Sequence, residues 1–565
     1  MGNSLLNTPC RRAPGPSWCR ERPGPRLRSG RPPAVDRLRN ARVHRYPVRS
    51  RPAPDRPERG AVAKQIGFDN DKYLEEQSRA IIERSECIGG RLYLEFGGKI
   101  AYDFHAARVL PGYDPNVKIR LLQKLRDQAE IIVCIYAGAI ERRKVRADFG
   151  IPYDVDVLKL IDDLRDWGLL VRGVVITRFE DQPSARVFKA RLERRSVAVC
   201  AHRLTSGYPT DVDRIVSDEG YGANDYIRTE RPVVVVAGPG PGSGKLATCL
   251  SQVYHENLRG NAAGYAKFET FPIWNLPLKH PVNVAYEAAT VELKDVNQID
   301  PFHLAAYGEQ AISYNRDIEA FPLLARILER IGGDVSYRSP TDMGVNRAGF
   351  AITDDAVVRT AAEQEVIRRH FRYACEYAVG LVELEDANRA QLIMSGLGLD
   401  EEQRVVVRPA REAAAEGEVK GKGNEGVYCG AAIALPDGRI VTGKNSALMH
   451  AASAAVLNAV KELSGIPDEM PLLTRSVMES IAGMKKNILR MKSVSLDLDE
   501  MLIALGISAA ANPAAQLALE HLKQLQGCEF HTTHLPTAGD EAGLRRLGLN
   551  ATSDPQFATT SLVLG

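Results

Sequence analysis

Residues 233–250 read VVVVAGPGPGSGKLATCL. Four consecutive valines are typical of a strand that is covered on both faces. A Gly- and Pro-rich loop follows, and at Lys245 an apolar pattern with helical spacing begins. A strand, a tight loop and a helix in this order form the repeating unit of a parallel sheet. Ligands of such sheets bind beyond the carboxyl ends of the strands.

The loop of this unit is a candidate phosphate-binding site. Glycines allow backbone N–H groups to turn toward an anion, and the start of a helix adds free N–H donors. The predicted binding residues are Gly238, Gly240, Gly242, Ser243, Gly244 and Lys245. The alternative interpretation is a tight turn between strand and helix with an exposed lysine.

The loop departs from the standard nucleotide-binding patterns. Pro239 stands where the pattern GxxxxGK[ST] requires its first glycine, and Leu246 stands where it requires a Mg²⁺-binding Ser or Thr. In GxGxxG, Ser243 takes the place of the third glycine. The pattern therefore leaves the cofactor unknown, with a nucleotide or a phosphate accompanied by Mg²⁺ as the candidates.

Apolar strands alternate with amphipathic helices before this unit. The predicted strands are 92–96, 130–136, 171–177, 196–200 and 233–237. This alternation predicts an α/β fold with a doubly wound, mostly parallel sheet. Residues 260–345 have little periodicity and are expected to form long ordered loops and short elements.

Composition divides the chain into four segments. Residues 1–63 are expected to be a disordered Arg/Pro-rich extension, or the product of a start codon placed too far upstream. Residues 64–345 form the predicted α/β phosphate-loop domain. Residues 346–420 form a helical region and linker, and the Ala/Glu/Gly-rich residues 410–425 look like that linker. Residues 421–565 form a smaller C-terminal α+β domain, beginning with two strands around Pro436-Asp437-Gly438 and a helix.

Charge and cysteine usage limit the class of protein. Residues 1–60 contain 15 Arg, no Lys and 4 acidic residues, a net charge of +11 within a total of +3. The rest of the chain is therefore mildly acidic, which argues against a nucleic-acid surface on the folded body. Nine scattered cysteines without a CxxC pair and the lack of a long apolar run indicate a cytoplasmic protein that does not enter a membrane.

Other polar residues are candidates for catalysis. Asp218 and Glu219 follow a short apolar segment, as an acidic pair that holds Mg²⁺ would. His280 lies in a long segment rich in aromatic residues, and Arg347 in the turn SPTDMGVNRAGF could clamp a phosphate. For the acidic pair the alternative is a set of turn and capping carboxylates. For His280 the alternative is a structural role, and for Arg347 it is a position in a surface loop.

The C-terminal segment contains a weak metal-site candidate. His531, His534 and Asp540 are close in sequence, but their spacing matches no established zinc pattern. The run His450-Ala451-Ala452 faintly resembles cytidine deaminases, and the absence of the following Glu and of PCxxC excludes their zinc chemistry.

Six segments together resemble an uncharacterised bacterial family, "domain of unknown function 1846", also called uncharacterised protein family 0371. They are LYLEFGGK (92–99), HAARVLPGYDPN (105–116), GYPTDVDRIVSDEGYG (207–222), GPGPGSGKLATCLSQ (238–252), NLPLKHPVNVAYEAAT (275–290) and SPTDMGVNRAGF (339–350). The resemblance extends from about residue 66 to the C-terminus. It implies a bacterial cytoplasmic protein and supplies no catalytic residues.

The sequence leaves three functions open. The first is a nucleotide- or phosphometabolite-dependent transferase that uses the loop. The second is a sensor that binds a phosphorylated metabolite without turnover, and the third is a metal-dependent hydrolase. The expected partner is a small phosphorylated ligand. The sequence leaves open whether the chain forms a homo-oligomer.

Overall fold

The computed structural model describes residues 65–146, 149–332 and 337–559. The predicted extension over residues 1–63 lies outside the described residues. The strands are β1 (Arg91–Phe96), β2 (Ala129–Tyr136), β3 (Val145–Arg146), β4 (Ile151–Pro152), β5 (Val171–Thr177), β6 (Val199–His202), β7 (Val233–Ala237), β8 (Ala263–Phe268), β9 (Asn297–Ile299), β10 (Ile312–Tyr314), β11 (Gly344–Val345), β12 (Gly430–Ala434), β13 (Ile440–Lys444), β14 (Glu529–Thr532) and β15 (Asn550–Ser553).

Helices surround these strands along the whole described chain. They are α1 (Asn70–Ile88), α2 (Phe104–Val109), α3 (Val117–Lys124), α4 (Ala137–Glu141), α5 (Tyr153–Asp166), α6 (Pro183–Glu193), α7 (Val212–Ile215), α8 (Lys245–Leu258), α9 (Pro281–Ala289), α10 (Pro301–Tyr307), α11 (Asn315–Gly332), α12 (Pro340–Met343), α13 (Asp355–Ala378), α14 (Leu384–Gly396), α15 (Val407–Val419), α16 (Ala451–Ser464), α17 (Arg475–Asn487), α18 (Leu498–Ala509), α19 (Pro513–His521) and α20 (Ala538–Arg546). No helix of the described residues is both long and apolar enough to cross a membrane.

The first domain is built on a seven-stranded parallel sheet. Its strand order is β11-β8-β1-β7-β2-β5-β6. One apolar cluster covers the face that includes Leu94 and Val235, together with α1, α5 and α6. A second cluster covers the face that includes Tyr93 and Val234, together with α8 and α11. Helices on both faces confirm the predicted doubly wound fold.

The order of the strands creates a crevice at the carboxyl edge of the sheet. From β2 the chain moves outward to β5 and β6, and from β7 it moves the opposite way to β8 and β11. Connections that leave two neighbouring strands in opposite directions open a gap between the loops that follow them. The gap between β7 and β2 is therefore the expected ligand position.

The predicted strands agree closely with the observed ones, except that β6 begins three residues later than predicted. Two strands of the parallel sheet, β8 and β11, fall in the segment expected to form loops and short elements. Their sequences contain Gly264 and Gly344, and β11 is two residues long, so they give little periodic signal.

The helical region and the C-terminal domain follow this sheet. Helix α13 contacts α2, α9 and α14, and its far end reaches β15. The second sheet has the order β13-β12-β14-β15, in which β14 and β15 are parallel and the other pairs are antiparallel. The segment expected as a linker, 410–425, largely forms α15, whose buried Ala410 and Ala413 pack toward β12.

Candidate functional site

The loop of residues 238–244 connects β7 to α8 at the crevice between β7 and β2. Gly242 and Gly244 have φ angles of +73° and +89°, which side chains of L-residues rarely allow. A Cβ atom on Gly244 would lie 2.6 Å from Cγ2 of Thr177, at the end of β5. Thr177 also donates its hydroxyl hydrogen to the Ser243 carbonyl at 2.8 Å. Glycine is therefore required at position 244 by both conformation and space.

The N–H groups at the start of α8 are free within the described residues. Those of Gly242, Gly244, Lys245, Leu246 and Ala247 donate no hydrogen bond there. The N-cap residue of α8 is Gly244, so no side chain caps the helix. Aspartate caps four other helices, α1, α2, α10 and α13, whereas α4, α5 and α6 resemble α8 in having no side-chain cap. Free donors at a helix start favour an anion.

Lys245 is 9% exposed and occupies the first helical position beside these amides. No carboxylate of the described residues lies within ion-pair distance of its ammonium group. Its charge opposes the effect of burial on the nearby Cys134 thiol, where burial raises the pKa to about 12. An ammonium group without a counter-charge beside free helix amides suits an incoming anion.

Aromatic and basic side chains border the loop. Arg178 donates to the Gly242 carbonyl at 2.6 Å, and its guanidinium lies 3.5 Å from the centre of the Tyr136 ring. Tyr153 lies beside Gly240, and the Lys144 ammonium is 5.6 Å from the centre of the Tyr153 ring. The bordering cations add positive charge to the crevice, and each ring has a cation over its face.

A buried charged group occupies the same edge of the sheet at β1 and β8. Lys267 Nζ lies 2.6 Å from Glu269 and 2.5 Å from Asp317 on the first turn of α11. Glu95 is the register partner of Lys267 and accepts a hydrogen bond from Tyr265 at 2.8 Å. Because β7 is the next strand beyond β1, this group begins about 5–10 Å from the loop strand.

The protonation of this group is unusual. Burial raises the pKa of Glu269 to about 7; Asp317 and Glu95 add to this, and Lys267 opposes it. Burial alone would lower the pKa of Lys267, but Asp317 and Glu269 outweigh it and raise the pKa. A carboxyl group that titrates near neutral pH is suited to proton transfer.

The structure does not bring Asp218 and Glu219 to the loop. Asp218 accepts a hydrogen bond from Tyr254 at 3.3 Å, and Tyr254 follows Lys245 by nine residues along α8. Nine helical residues span about 13 Å. Glu219 is exposed and pairs with Arg214 at 3.3 Å. The acidic pair therefore stabilises a turn away from the start of the helix, and its proposed Mg²⁺ role gains no support.

His280 is the N-cap residue of α9. Its Nδ1 accepts from the Val282 amide at 3.2 Å, and its Nε2 lies 2.9 Å from Asp355 Oδ1. Burial lowers the pKa of the ring. Both nitrogens of a neutral imidazole are thus in use, which matches the structural alternative.

Arg347 follows β11 at the same edge of the sheet as the loop. It lines a cavity of about 290 Å³ together with Arg84, Trp274, His303, Asp342 and Asn346. Three strand spacings, about 14 Å, separate β11 from β7. The guanidinium lies 5.4 Å from the Phe350 ring centre. Arg347 is therefore in a cavity of its own, and a joint site with the loop requires an elongated ligand.

The three metal candidates contact different partners. His531 lies 2.9 Å from Thr552 Oγ1, His534 contacts the neighbouring Thr533, and Asp540 pairs with His450 at 2.7 Å. Burial lowers the pKa of both His531 and His534. Within residues 65–146, 149–332 and 337–559, no group of three or more His, Cys, Asp or Glu side chains could hold a metal ion.

Sequence reasoning missed Glu95 and Asp317 as site residues. Glu95 is the one charged residue within LYLEF, residues 92–96 of β1. The feature of the sequence that indicated Glu95 was a charged residue near the carboxyl end of a buried strand. No feature of the sequence indicated Asp317, because α11 reaches the site only through the packing of the chain.

Comparison with protein families covers nearly all of the described chain. Residues 66–398 match the model "Domain of unknown function DUF1846, N-terminal", and residues 402–563 match "Domain of unknown function DUF1846, C-terminal". The chain belongs to the DUF1846 family. The boundary between the two family models falls just before α15, which packs on the second sheet.

Curated relatives in the family are similar over almost their whole length. A UPF0371 protein of Clostridium tetani is 56% identical over 499 residues, which cover 88% of this chain and 99% of the relative. A UPF0371 protein of Fusobacterium nucleatum is 57% identical over 502 residues, with the same coverage of both chains. The predicted family membership is thereby confirmed.

Proposed function

We propose that the chain binds the phosphate group of a small phosphorylated molecule at the loop of residues 238–244. The observation that best supports the proposal is the set of free amides of Gly242 and of residues 244–247 beside the ammonium of Lys245. Its position at the crevice of a doubly wound sheet agrees with this ligand.

The groups present in the loop bear on whether the ligand binds together with Mg²⁺. Leu246 has no hydroxyl to hold Mg²⁺, and no carboxylate contacts the described loop residues. We therefore expect binding that does not require Mg²⁺. The free thiols of Cys134 and Cys249 agree with a cytoplasmic location.

Isothermal titration calorimetry of the full chain with ATP, ADP and glucose 6-phosphate tests the proposal, each with and without Mg²⁺. Lys245→Met keeps the volume of the side chain and removes its charge. We expect it to weaken binding at least roughly tenfold, as the loss of a charge-assisted hydrogen bond does. Lys124→Met is the matched control, since Lys124 is exposed at the end of α3. Equal affinity of Lys245→Met and wild type for every bound compound would exclude the loop.

A second proposal, that the chain is an enzyme acting on the bound molecule, has support from Lys267 and Glu269. Their contact lies at the carboxyl edge of the sheet that also bears the loop, and the pKa of Glu269 is near 7. Proton transfer to or from a hydroxyl or carbonyl group of the ligand would use such a pair.

Incubation of a bound compound with the protein, followed by ³¹P NMR, separates an enzyme from a sensor. Product formation that Glu269→Gln abolishes, with binding retained, supports the enzyme. Binding without any product supports a sensor of a phosphorylated metabolite.

A further inference from the structure

Three arginines surround one buried carboxylate where α2 meets α13. Arg108 Nε lies 2.8 Å from Glu365, Arg368 Nε 2.7 Å and Arg369 Nε 2.9 Å. Glu365 has a side chain that is 1% exposed. No second carboxylate of the described residues lies within 4 Å of these guanidinium groups. Three positive charges thus share a single negative charge.

Two other buried cations of the described residues each have a carboxylate of their own. Lys118 pairs with Asp103 at 2.8 Å, and Arg404 pairs with Glu529 at 2.5 Å. Bracing α2 against α13 needs only one arginine on Glu365. Because burying an unbalanced charge is costly, the two surplus charges call for a further function.

His105 adds an unsatisfied polar atom to the cluster. Its Nδ1 lies 3.0 Å from Glu365 Oε1 and 3.2 Å from Arg369 Nη2. Its Nε2 is buried and has no hydrogen-bond partner within the described part of the chain. Buried polar atoms in native proteins nearly always have a partner, so this nitrogen is a donor or acceptor available to a ligand.

Three basic groups in and beside the cluster have lowered pKa values. Burial, together with the charges of Arg146, Arg369 and Arg108, lowers the pKa of Lys99 to about 7. Burial likewise lowers the pKa of His105 to about 4 and that of Arg369 to about 9. Burial is the largest cause of all three shifts, and neighbouring guanidinium groups add to it.

The cluster is reachable from solvent and close to the carboxyl edge of the parallel sheet. The side chains of Arg108 and Arg368 are 21% and 15% exposed. Helix α2 begins eight residues after β1 ends, and Lys118 holds the connecting segment by donating to the Lys99 carbonyl at 3.1 Å. The cluster therefore borders the same face of the molecule as the loop after β7.

We infer that Arg108, Arg368 and Arg369 form a second anion site, separate from the loop, that binds the oxygens of a phosphate or carboxylate group. Guanidinium groups present paired donors that match such oxygens. The site does not depend on the loop, and a ligand with two anionic ends would use both.

Calorimetric titration of the full chain with pyrophosphate tests the site. Arg108→Gln is the informative variant, because Arg368 and Arg369 still neutralise Glu365. We expect it to weaken one binding event roughly tenfold or more and to leave the binding at the loop unchanged. Arg120→Gln, an exposed arginine paired with Asp114 on the surface, is the matched control. Lys245→Met should leave the binding at the arginine cluster intact.

The outcomes separate this site from the loop. Binding that Lys245→Met weakens and Arg108→Gln does not supports the loop and overturns the arginine site. The reverse result supports the arginine site and excludes the loop. An independent measurement uses unaltered protein: pyrophosphate should slow the modification of Arg108 and Arg368 by phenylglyoxal, as mapped by peptide mass spectrometry. Equal modification with and without saturating pyrophosphate would overturn the inference, and Arg475, which is 91% exposed, serves as the internal reference.

Discussion

At the scale of single residues, Glu269 shows how neighbours determine chemistry. Its side chain is 15% exposed and touches Lys267, yet its pKa is raised to about 7 because burial and the nearby Asp317 and Glu95 disfavour a second negative charge. Glu269 follows the end of β8 and lies two residues after Lys267, and α11 contributes Asp317. A glutamate in this position holds its proton over a pH range in which a solvated glutamate has lost it.

The first prediction concerns the pH dependence of stability. The folded state binds more protons than the unfolded state between about pH 4.5 and 7, so the contribution of Glu269 to stability falls as the pH rises through that window. Glu269→Gln removes this effect. The free energy of unfolding of the variant relative to wild type should increase by about 1–3 kcal/mol from pH 5 to pH 8.

Urea denaturation at the two pH values measures this difference. Glu402→Gln, at an exposed position, is the control for the loss of one surface carboxylate. A difference between wild type and Glu269→Gln that is the same at pH 5 and pH 8 would show that the neighbours do not shift this group.

At the scale of elements, the β7–loop–α8 unit depends on the start of its helix. Gly244 is the N-cap residue with a left-handed backbone, and Thr177 at the end of β5 fills the space where a side chain would extend. The loop is thus fixed by a neighbouring strand and by Arg178, which binds the Gly242 carbonyl. A preformed loop costs little ordering entropy when an anion binds.

The second prediction compares two glycines of this loop. Gly242→Ala meets no atom within 4 Å and should cost only the backbone strain, about 1–2 kcal/mol. Gly244→Ala has the same strain and also a contact with Thr177, which should add about 1–3 kcal/mol. Denaturant unfolding of the two variants measures the difference. Equal destabilisation would mean that Thr177 moves aside freely.

At the scale of the whole molecule, Arg404 joins the helical region to the C-terminal sheet. It is 1% exposed, pairs with Glu529, and donates to the Thr552 hydroxyl at 3.0 Å and to the Asn550 carbonyl at 2.5 Å. Helix α13 adds contacts of its own, since the Phe371 ring lies 4.9 Å from that of His531. These contacts connect β14 and β15 to the part of the chain that surrounds the first sheet.

The third prediction tests this connection. Arg404→Met removes one partner of a buried ion pair and leaves Glu529 without its cation, which should destabilise the protein by about 3–5 kcal/mol. Loss of the connection should also separate the unfolding of the C-terminal domain from that of the first domain in calorimetry. Arg408→Met, whose side chain is 70% exposed, should change stability by no more than about 0.5 kcal/mol. A single unchanged transition in Arg404→Met would contradict this role.

The sequence by itself determined the parallel sheet and the place of the loop. Strands such as VVVVA and EIIVCIY are apolar throughout because they are buried on both faces, and local composition records that burial. Gly244 and Lys245 likewise follow from local rules, since the turn requires glycine and the helix begins at the next residue. Family membership could also be recognised from the sequence, because it depends on the order of residues alone.

Only the tertiary structure decided which charged residues share a site. Asp218 is near the loop in sequence but contacts the far end of α8, whereas Asp317 is distant in sequence and contacts Lys267. Arg108 and Glu365 are 257 residues apart and meet through the packing of α2 on α13. Contacts of this kind depend on how helices pack across the sheet, and periodicity along the chain contains no record of the partner that a side chain will meet.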